Sequence, residues 1–193
     1  DRDVDIDTVK SIIQIAKQSP SGVNTQPWNV YVLSGDARDK LVNEATSRYD
    51  QGKMDGQEYL VYPKEMPDWY KERRRAVGWA MYGAIGIEKG DTEKMMAQGR
   101  KNYEFFGAPV GIFITVKNCV GPNGWGHVGH FIQNVCLLAI ENGLATCLQE
   151  AWAELPKLVR EHVNYPEDET LWCGIALGYD CLLYTSPSPR DVP

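Results

Sequence analysis

The stretch that most constrains the fold of this chain is APVGIFITV, from Ala108 to Val116. A strand with one face in water alternates apolar and polar residues, whereas this stretch is apolar on both faces. The pattern therefore predicts a central strand. Three further strands are predicted, at WNVYVL from Trp28 to Leu33, at LATCLQ, and at LWCGIALGY near the end of the chain.

Helical spacing predicts several helices around these strands. The first has apolar residues at i, i+3, i+4 and i+7 from Val9 to Ala16, the pattern of an amphipathic helix, with Asp7 as its predicted N-cap. The helix predicted over residues 127–143 is apolar almost all round, so we expect it to be buried. The other helices are predicted from Ala37 to about Tyr49, from about Trp69, from Asp91 to Glu104 and from Pro156. Because no repeat or linker interrupts this order, the sequence predicts one mixed α/β domain.

Composition argues against several classes of function. The net charge of −6 disfavours nucleic acid as the main partner, because phosphate binding favours a basic face. No apolar run approaches the roughly 20 residues of a membrane span, so we expect no membrane partner and a cytoplasmic location. Most cysteines lie in apolar runs and none forms a CxxC pair, which favours free buried thiols over disulfides or a metal site. The five cysteines are Cys119, Cys136, Cys147, Cys173 and Cys181.

Three motifs could carry chemistry but have simpler interpretations. The run GWGHVG, Gly124–Gly129, matches a dinucleotide fingerprint, but seven residues separate it from the preceding strand, so a glycine-rich turn before a helix is favoured. His127 and His130 have no nearby carboxylate or cysteine to complete a metal set, which favours solvated or capping histidines. The basic run KERRR, Lys71–Arg75, is interpreted as a solvated helix face rather than a phosphate or carboxylate contact.

The loop SPSGVNTQPW is the strongest candidate for a binding site. It carries no charge, yet it is rich in backbone N–H groups and in amide side chains that both donate and accept hydrogen bonds. This chemistry suits a large, neutral, flat heteroaromatic ligand such as a flavin, which would carry the reaction itself. The chain has no Ser-His-Asp order and no G-x-S-x-G motif for hydrolysis. The candidate binding residues in the loop are Pro20, Ser21, Gly22, Asn24 and Gln26.

The sequence resembles the FMN-dependent nitroreductase family over essentially residues 5–180. The resemblance is carried, in family order, by SPSGVNTQPWNVYVLSG, RRRAVGWAMYGAIGI, NYEFFGAPVGIFITV, GPNGWGHVGHFIQNVCLLAIENGLATCLQEAW and CGIALGY. It is greatest to the branch that reduces nitrobenzoate-type aromatics. The resemblance implies an α+β, nitroreductase-like fold with a central, mostly antiparallel sheet flanked by helices. It also implies a homodimer with one FMN at each of two subunit interfaces.

The resemblance implies an oxidoreductase in which NADH or NADPH reduces FMN, and FMN reduces a nitroaromatic or quinone-type acceptor. No catalytic side chain and no metal are implied. A flavin-fragmenting or dehalogenating relative, and a flavin-binding or storage protein without turnover, are the alternatives. The implied FMN contacts are the five loop residues above, and the backbone N–H groups of Gln149, Glu150 and Ala151 at the flavin N5 edge.

The resemblance also gives an expectation about the two ends. Family members carry an R-x-S-x-R segment before the first helix, and a further Arg and a C-terminal arm after ALGY, and neither pattern is found here. We therefore expect residues 1–180 to hold an FMN-binding domain that is incomplete at both ends. The final stretch CLLYTSPSPRDVP, residues 181–193, is interpreted as a non-native tail derived from a sequencing adapter.

Overall fold

The computed structural model of the protein describes residues 2–180. Four strands form one sheet in the order β1-β2-β4-β3, and every neighbouring pair is antiparallel. The strands are β1 (Trp28–Ser34), β2 (Val110–Lys117), β3 (Ala145–Gln149) and β4 (Glu169–Gly178). This arrangement confirms the predicted antiparallel sheet and its four strands. The predicted adapter-derived tail, residues 181–193, lies outside the described residues.

Six helices are found in residues 2–180, close to their predicted positions. They are α1 (Ile6–Ala16), α2 (Gly35–Asp50), α3 (Asp68–Ala84), α4 (Thr92–Arg100), α5 (Pro122–Glu141) and α6 (Pro156–Val163). The predicted N-cap of α1 is wrong, because Asp5, not Asp7, accepts the Thr8 N–H at 3.1 Å. The helix predicted to end at Glu104 instead ends at Arg100 and continues as a 3₁₀ segment.

The helix α5 begins five residues before its predicted start, so the run GWGHVG lies inside it and not in a turn. A dinucleotide fingerprint requires a parallel βαβ unit with the glycines directly after the first strand. Neighbouring strands here are antiparallel, and four residues separate the end of β2, Lys117, from the start of α5, Pro122. The preference for the non-dinucleotide interpretation is confirmed, although the glycines are helical.

The central strand β2 is covered on both faces, as its sequence predicts. Seven consecutive residues, from Val110 to Val116, are buried. One core cluster packs Ile112 and Ile114 with the inner faces of α1 and α5. The other packs Phe113 with Trp152 and residues of α2 and α6. The sheet therefore has a helix layer on each side, which is the expected α+β arrangement.

The described chain divides into two compact units. One comprises residues 2–61 and 101–180 and contains the sheet and both core clusters. The other comprises residues 62–100 and contains α3 and α4, in which no residue is buried. The single domain expected over residues 1–180 stays a prediction. None of the helices in residues 2–180 has both the length and the apolarity that crossing a membrane requires.

Candidate flavin site

The loop between α1 and β1 has an unusual backbone. Three non-glycine residues lie in the left-handed region, Val23 at φ 45°, Asn24 at φ 59° and Gln26 at φ 45°. Asparagine tolerates this region, but a β-branched residue there is an outlier, and the cost for an L-residue is about 1–2 kcal/mol. The Val23 side chain is 97% exposed, so no packing offsets this cost. Strain of this kind is concentrated at functional sites.

Hydrogen bonds within the loop orient its amide side chains. Ser21 Oγ accepts the Gln26 backbone N–H at 3.0 Å, and Gln26 Nε2 donates to Asn24 Oδ1 at 3.2 Å. Within residues 2–180, Asn24 Nδ2 and Gln26 Oε1 have no protein partner, so one donor and one acceptor are left for a ligand. The structure thus brings Ser21, Asn24 and Gln26 together, and their contact with a flavin stays a prediction.

The loop is attached to α5 at two points that the sequence analysis missed. The buried Ser19 hydroxyl donates to Ala16 O at 2.6 Å and accepts from Asn134 Nδ2 at 2.7 Å. The Gly22 N–H donates to His127 Nε2 at 3.0 Å. Of the two roles expected for the histidines, His127 therefore has the capping one, because Gly22 is the first residue of the 3₁₀ turn Gly22–Asn24, whereas His130 is exposed. No local signal singled out His127 and Asn134, because α5 carries other polar residues, among them His130 and Gln133.

The turn after β3 is held by a buried glutamine. The Gln149 side chain is 1% exposed; its Nε2 donates to Asn102 O at 2.8 Å and its Oε1 accepts from Trp152 Nε1 at 3.4 Å. Ala151 O accepts the Tyr103 hydroxyl at 3.1 Å. Because the Gln149 side chain is used inside the protein, the turn can offer a ligand only its backbone and the exposed Glu150 side chain.

Burial controls the titration of the groups next to this turn. Desolvation raises the pKa of the Glu150 carboxyl above its ordinary value. Burial, with a smaller effect of the Glu150 charge, raises the pKa of the Cys173 thiol to about 12. Burial also raises the pKa of the Cys136 thiol. These thiols stay protonated at neutral pH, so neither supplies the thiolate that nucleophilic catalysis requires.

The cysteine prediction is partly confirmed. The four cysteines in residues 2–180 are free, and Cys173 is buried, as predicted. The expectation of burial is wrong for Cys119 and Cys147, which are exposed. Cys119 lies in the turn between β2 and α5, and Cys147 lies on the edge strand β3. Cys181 lies outside the described residues. Among residues 2–180, no three His, Cys, Asp or Glu side chains are grouped so that they could hold a metal ion.

The basic run Lys71–Arg75 lies on α3 within residues 62–100. Lys71 pairs with Asp68 at 3.2 Å, and the Arg73 and Arg74 guanidinium groups lie over the rings of Trp69 and Tyr62. These contacts are local to α3 and the residues before it, and the run is exposed. The interpretation as a solvated helix face is confirmed.

The chain matches the Nitroreductase family over residues 1–179. It belongs to the nitroreductase family. Among curated proteins, it is similar to 4-nitrobenzoate reductase of Nocardioides sp. (strain LMS-CY), with 36% identity over 178 residues, 90% of this chain and 71% of the relative. It is 32% identical to nitrobenzene nitroreductase of Ectopseudomonas oleovorans over 181 residues, 93% of this chain and 79% of the relative.

Solved structures of nitroreductases share the fold. The FMN and NADPH-dependent nitroreductase NfnB from Sphigopyxis sp. strain HMH matches with a TM-score of 0.88 and 36% identity, over 94% of this chain and 82% of that one. NfnB from Mycobacterium smegmatis, in complex with NADPH, matches with a TM-score of 0.87 and 27% identity, over 93% of this chain and 80% of that one. The resemblance and the nitroreductase-like fold predicted from the sequence are confirmed.

The loop residues fit a flavin ring. The ring system of FMN is flat and has both donors and acceptors on its rim, and the loop offers an unpartnered amide donor, an unpartnered amide acceptor and no charge. The donor set of this chain is therefore compatible with the family's cofactor.

Proposed function

We propose that this protein is an FMN-dependent NAD(P)H oxidoreductase that reduces nitroaromatic or quinone-type acceptors. The observation that carries the proposal is the strained, uncharged loop of residues 19–26, in which Asn24 Nδ2 and Gln26 Oε1 have no partner among residues 2–180. Family membership supports it, as do the relatives named for nitrobenzoate and nitrobenzene reduction. We place the protein in the cytoplasm and expect small molecules, not nucleic acid or a membrane, as its partners.

Bound FMN would supply the redox chemistry, accepting a hydride from the nicotinamide and passing electrons to the acceptor. The residues of this chain would bind and orient the FMN. Asn24 and Gln26 would hydrogen-bond to the polar rim of the ring, and Pro20, Ser21 and Gly22 would shape the loop around it. The backbone N–H groups of residues 149–151 would lie at the N5 edge of the ring and stabilise negative charge there, because fixed dipoles in a desolvated site are effective at this task.

Each site is proposed to form between two copies of the chain. The loop is held by α5, which packs on one face of the sheet. The turn of residues 149–151 is held by Asn102 and Tyr103, and Tyr103 belongs to the core cluster on the other face. The outer surfaces of α1, α5 and β3 also expose large apolar side chains. The expectation that α5 is buried therefore does not hold for its outer surface. These side chains are Ile6, Ile15, Leu137, Ile140 and Leu148. A homodimer would cover this surface and let one copy's loop meet the other copy's turn.

The alternatives are a flavin-binding or storage protein without turnover and a flavin-fragmenting or dehalogenating relative. One experiment separates the proposal from storage and from flavin fragmentation. The purified protein is titrated with FMN, and NADH or NADPH oxidation is then followed with and without 4-nitrobenzoate. We expect flavin binding, acceptor-dependent oxidation and parallel double-reciprocal lines, because one neutral site serves both substrates in turn. Flavin binding without acceptor-dependent oxidation would support storage, and loss of the flavin spectrum during turnover would support fragmentation.

A further inference from the structure

We propose that His127 is a positioning residue, which holds the loop of residues 19–26 in its flavin-binding conformation by accepting the Gly22 N–H. The proposal rests on the proposed function, since it concerns the same loop. It assigns a role to a histidine that stands outside the loop and the turn. The contact joins residues 105 positions apart in the chain, with Gly22 N 3.0 Å from His127 Nε2.

The loop needs support from outside. Val23 and Asn24 directly follow Gly22, and both lie at positive φ, a conformation that side-chain-bearing residues adopt only when surrounding contacts enforce it. The hydrogen bonds from Gln26 to Ser21 and Asn24 run within the loop and close its second half. The bond from Gly22 to His127 is one of two contacts that join the first half to α5, and it is the one next to the two residues at positive φ.

The helix α5 is suited to holding the loop because it contacts the loop at a second position. Asn134, seven residues after His127, donates to Ser19 Oγ at 2.7 Å. Seven residues are two turns of an α-helix, so the two side chains lie on one face, about 10.5 Å apart along the axis. Ser19 and Gly22 are therefore held by consecutive stretches of one rigid helix, and the intervening Pro20 and Ser21 are fixed between them.

The bond requires one protonation state of His127. To accept an N–H, Nε2 must carry a lone pair, so the ring must be neutral with its proton on Nδ1. The loop itself carries no charged side chain, and His130, with its ring centroid 6.1 Å away, is the titratable neighbour on α5. A side chain that only donates hydrogen bonds cannot replace His127, whereas an amide oxygen at the same reach can.

The test uses three substitutions at each histidine. H127Q keeps an acceptor, H127K is donor-only, and H127L has neither; H130Q, H130K and H130L are the matched controls on the exposed neighbour. The dissociation constant for FMN is measured by flavin fluorescence. We expect H127K and H127L to bind FMN about 10-fold more weakly, H127Q to stay within about 3-fold of wild type, and the three controls to match wild type.

A second measurement does not depend on FMN. Histidine nitrogen NMR of the cofactor-free protein reports the tautomer directly, and we expect Nε2 of His127 to be unprotonated and Nδ1 to carry the proton. An Nε2–H tautomer would overturn the proposal, as would FMN binding by H127K as tight as that of wild type. If H127L fails to fold, H127Q against H127K and the tautomer still decide. If wild type itself binds no FMN, the proposed function fails, while the tautomer still tests the contact.

Discussion

The loop of residues 19–26 and the turn of residues 149–151 are both proposed to contact FMN, but they are built differently. The loop is largely exposed, holds three non-glycine residues at positive φ and is attached to α5 through two side chains. The turn is anchored by buried side chains, because Gln149 is 1% exposed and Trp152, directly after the turn, is fully buried. One region is positioned by a few polar contacts, the other by core packing.

The difference predicts how each region responds to substitution. The contacts of Trp152 belong to the core of the sheet-containing unit, so changes there alter the free energy of unfolding of the whole unit. The loop buries little apolar surface, so changes there act mainly on ligand binding. Binding and stability should therefore separate in the loop and stay coupled at the turn.

The largest effect is expected for Trp152→Ala. The indole stacks on Phe105 at 4.8 Å and meets Phe113 and Tyr103 edge to face at 5.1 and 5.3 Å. Removing it leaves a cavity, and we expect unfolding in urea to show a loss of about 3–5 kcal/mol. Val23→Ala, at a site that is 97% exposed, is the control and should change stability by less than about 0.5 kcal/mol. If both variants lost a similar amount of unfolding free energy, the loop and the turn would not differ in their contribution to stability.

The next effect is on binding. Asn24→Gly keeps a residue that adopts positive φ readily and removes only the amide, so it separates ligand contact from backbone strain. We expect FMN binding to weaken by about 1–3 kcal/mol, since polar atoms of the ring lose their partner. The urea midpoint should change little. An unchanged FMN affinity would mean that the loop has only a structural role.

How far the sequence predicted this molecule depended on whether a feature is local. The central strand β2 was predicted because two apolar faces are visible in nine consecutive residues, and hydrophobic periodicity located the helices for the same reason. The loop was singled out by its composition, and its family signature gave the cofactor. In each case the information lies in adjacent residues.

Features that depend on distant residues were missed. The bond between Gly22 and His127 spans 105 positions, and no local pattern distinguishes His127 from a solvated histidine. The exposed Leu137 and Ile140 on α5 were predicted to be buried, because an apolar stretch does not reveal whether its own chain covers it. One local feature was also missed: Asp5, not Asp7, is the N-cap of α1, and the sequence of two nearby aspartates does not show which of them leaves the helical conformation.

A smaller effect, of opposite sign, is expected for Val23→Gly. The valine lies at positive φ and is almost fully exposed, so glycine relieves strain without loss of packing. Glycine also makes the unfolded chain more flexible, at about 0.5–1 kcal/mol, against a relief of about 1–2 kcal/mol. We expect a net gain of about 0.5–1 kcal/mol in unfolding free energy. Thr25→Gly is the control, because Thr25 lies in the same loop at φ −67° and has no positive-φ strain to relieve, so this variant should lose stability. Equal effects of the two substitutions would mean that the loop is not strained.

The smallest effect is expected for Glu150→Gln, and it depends on pH. Because desolvation raises the pKa of this carboxyl above its ordinary 4.5, the folded protein binds the proton more tightly than the unfolded chain does. The ionised carboxylate therefore costs stability above the raised pKa, and this cost disappears as the pH falls below the ordinary value. The glutamine variant should melt above wild type at pH 7 and together with it near pH 4. Because the Glu150 side chain is exposed, we expect the difference in melting temperature to be small. Glu141→Gln is the control for loss of an exposed carboxylate. A variant that melts below wild type at pH 7 would show instead that the Glu150 charge is stabilised in the turn.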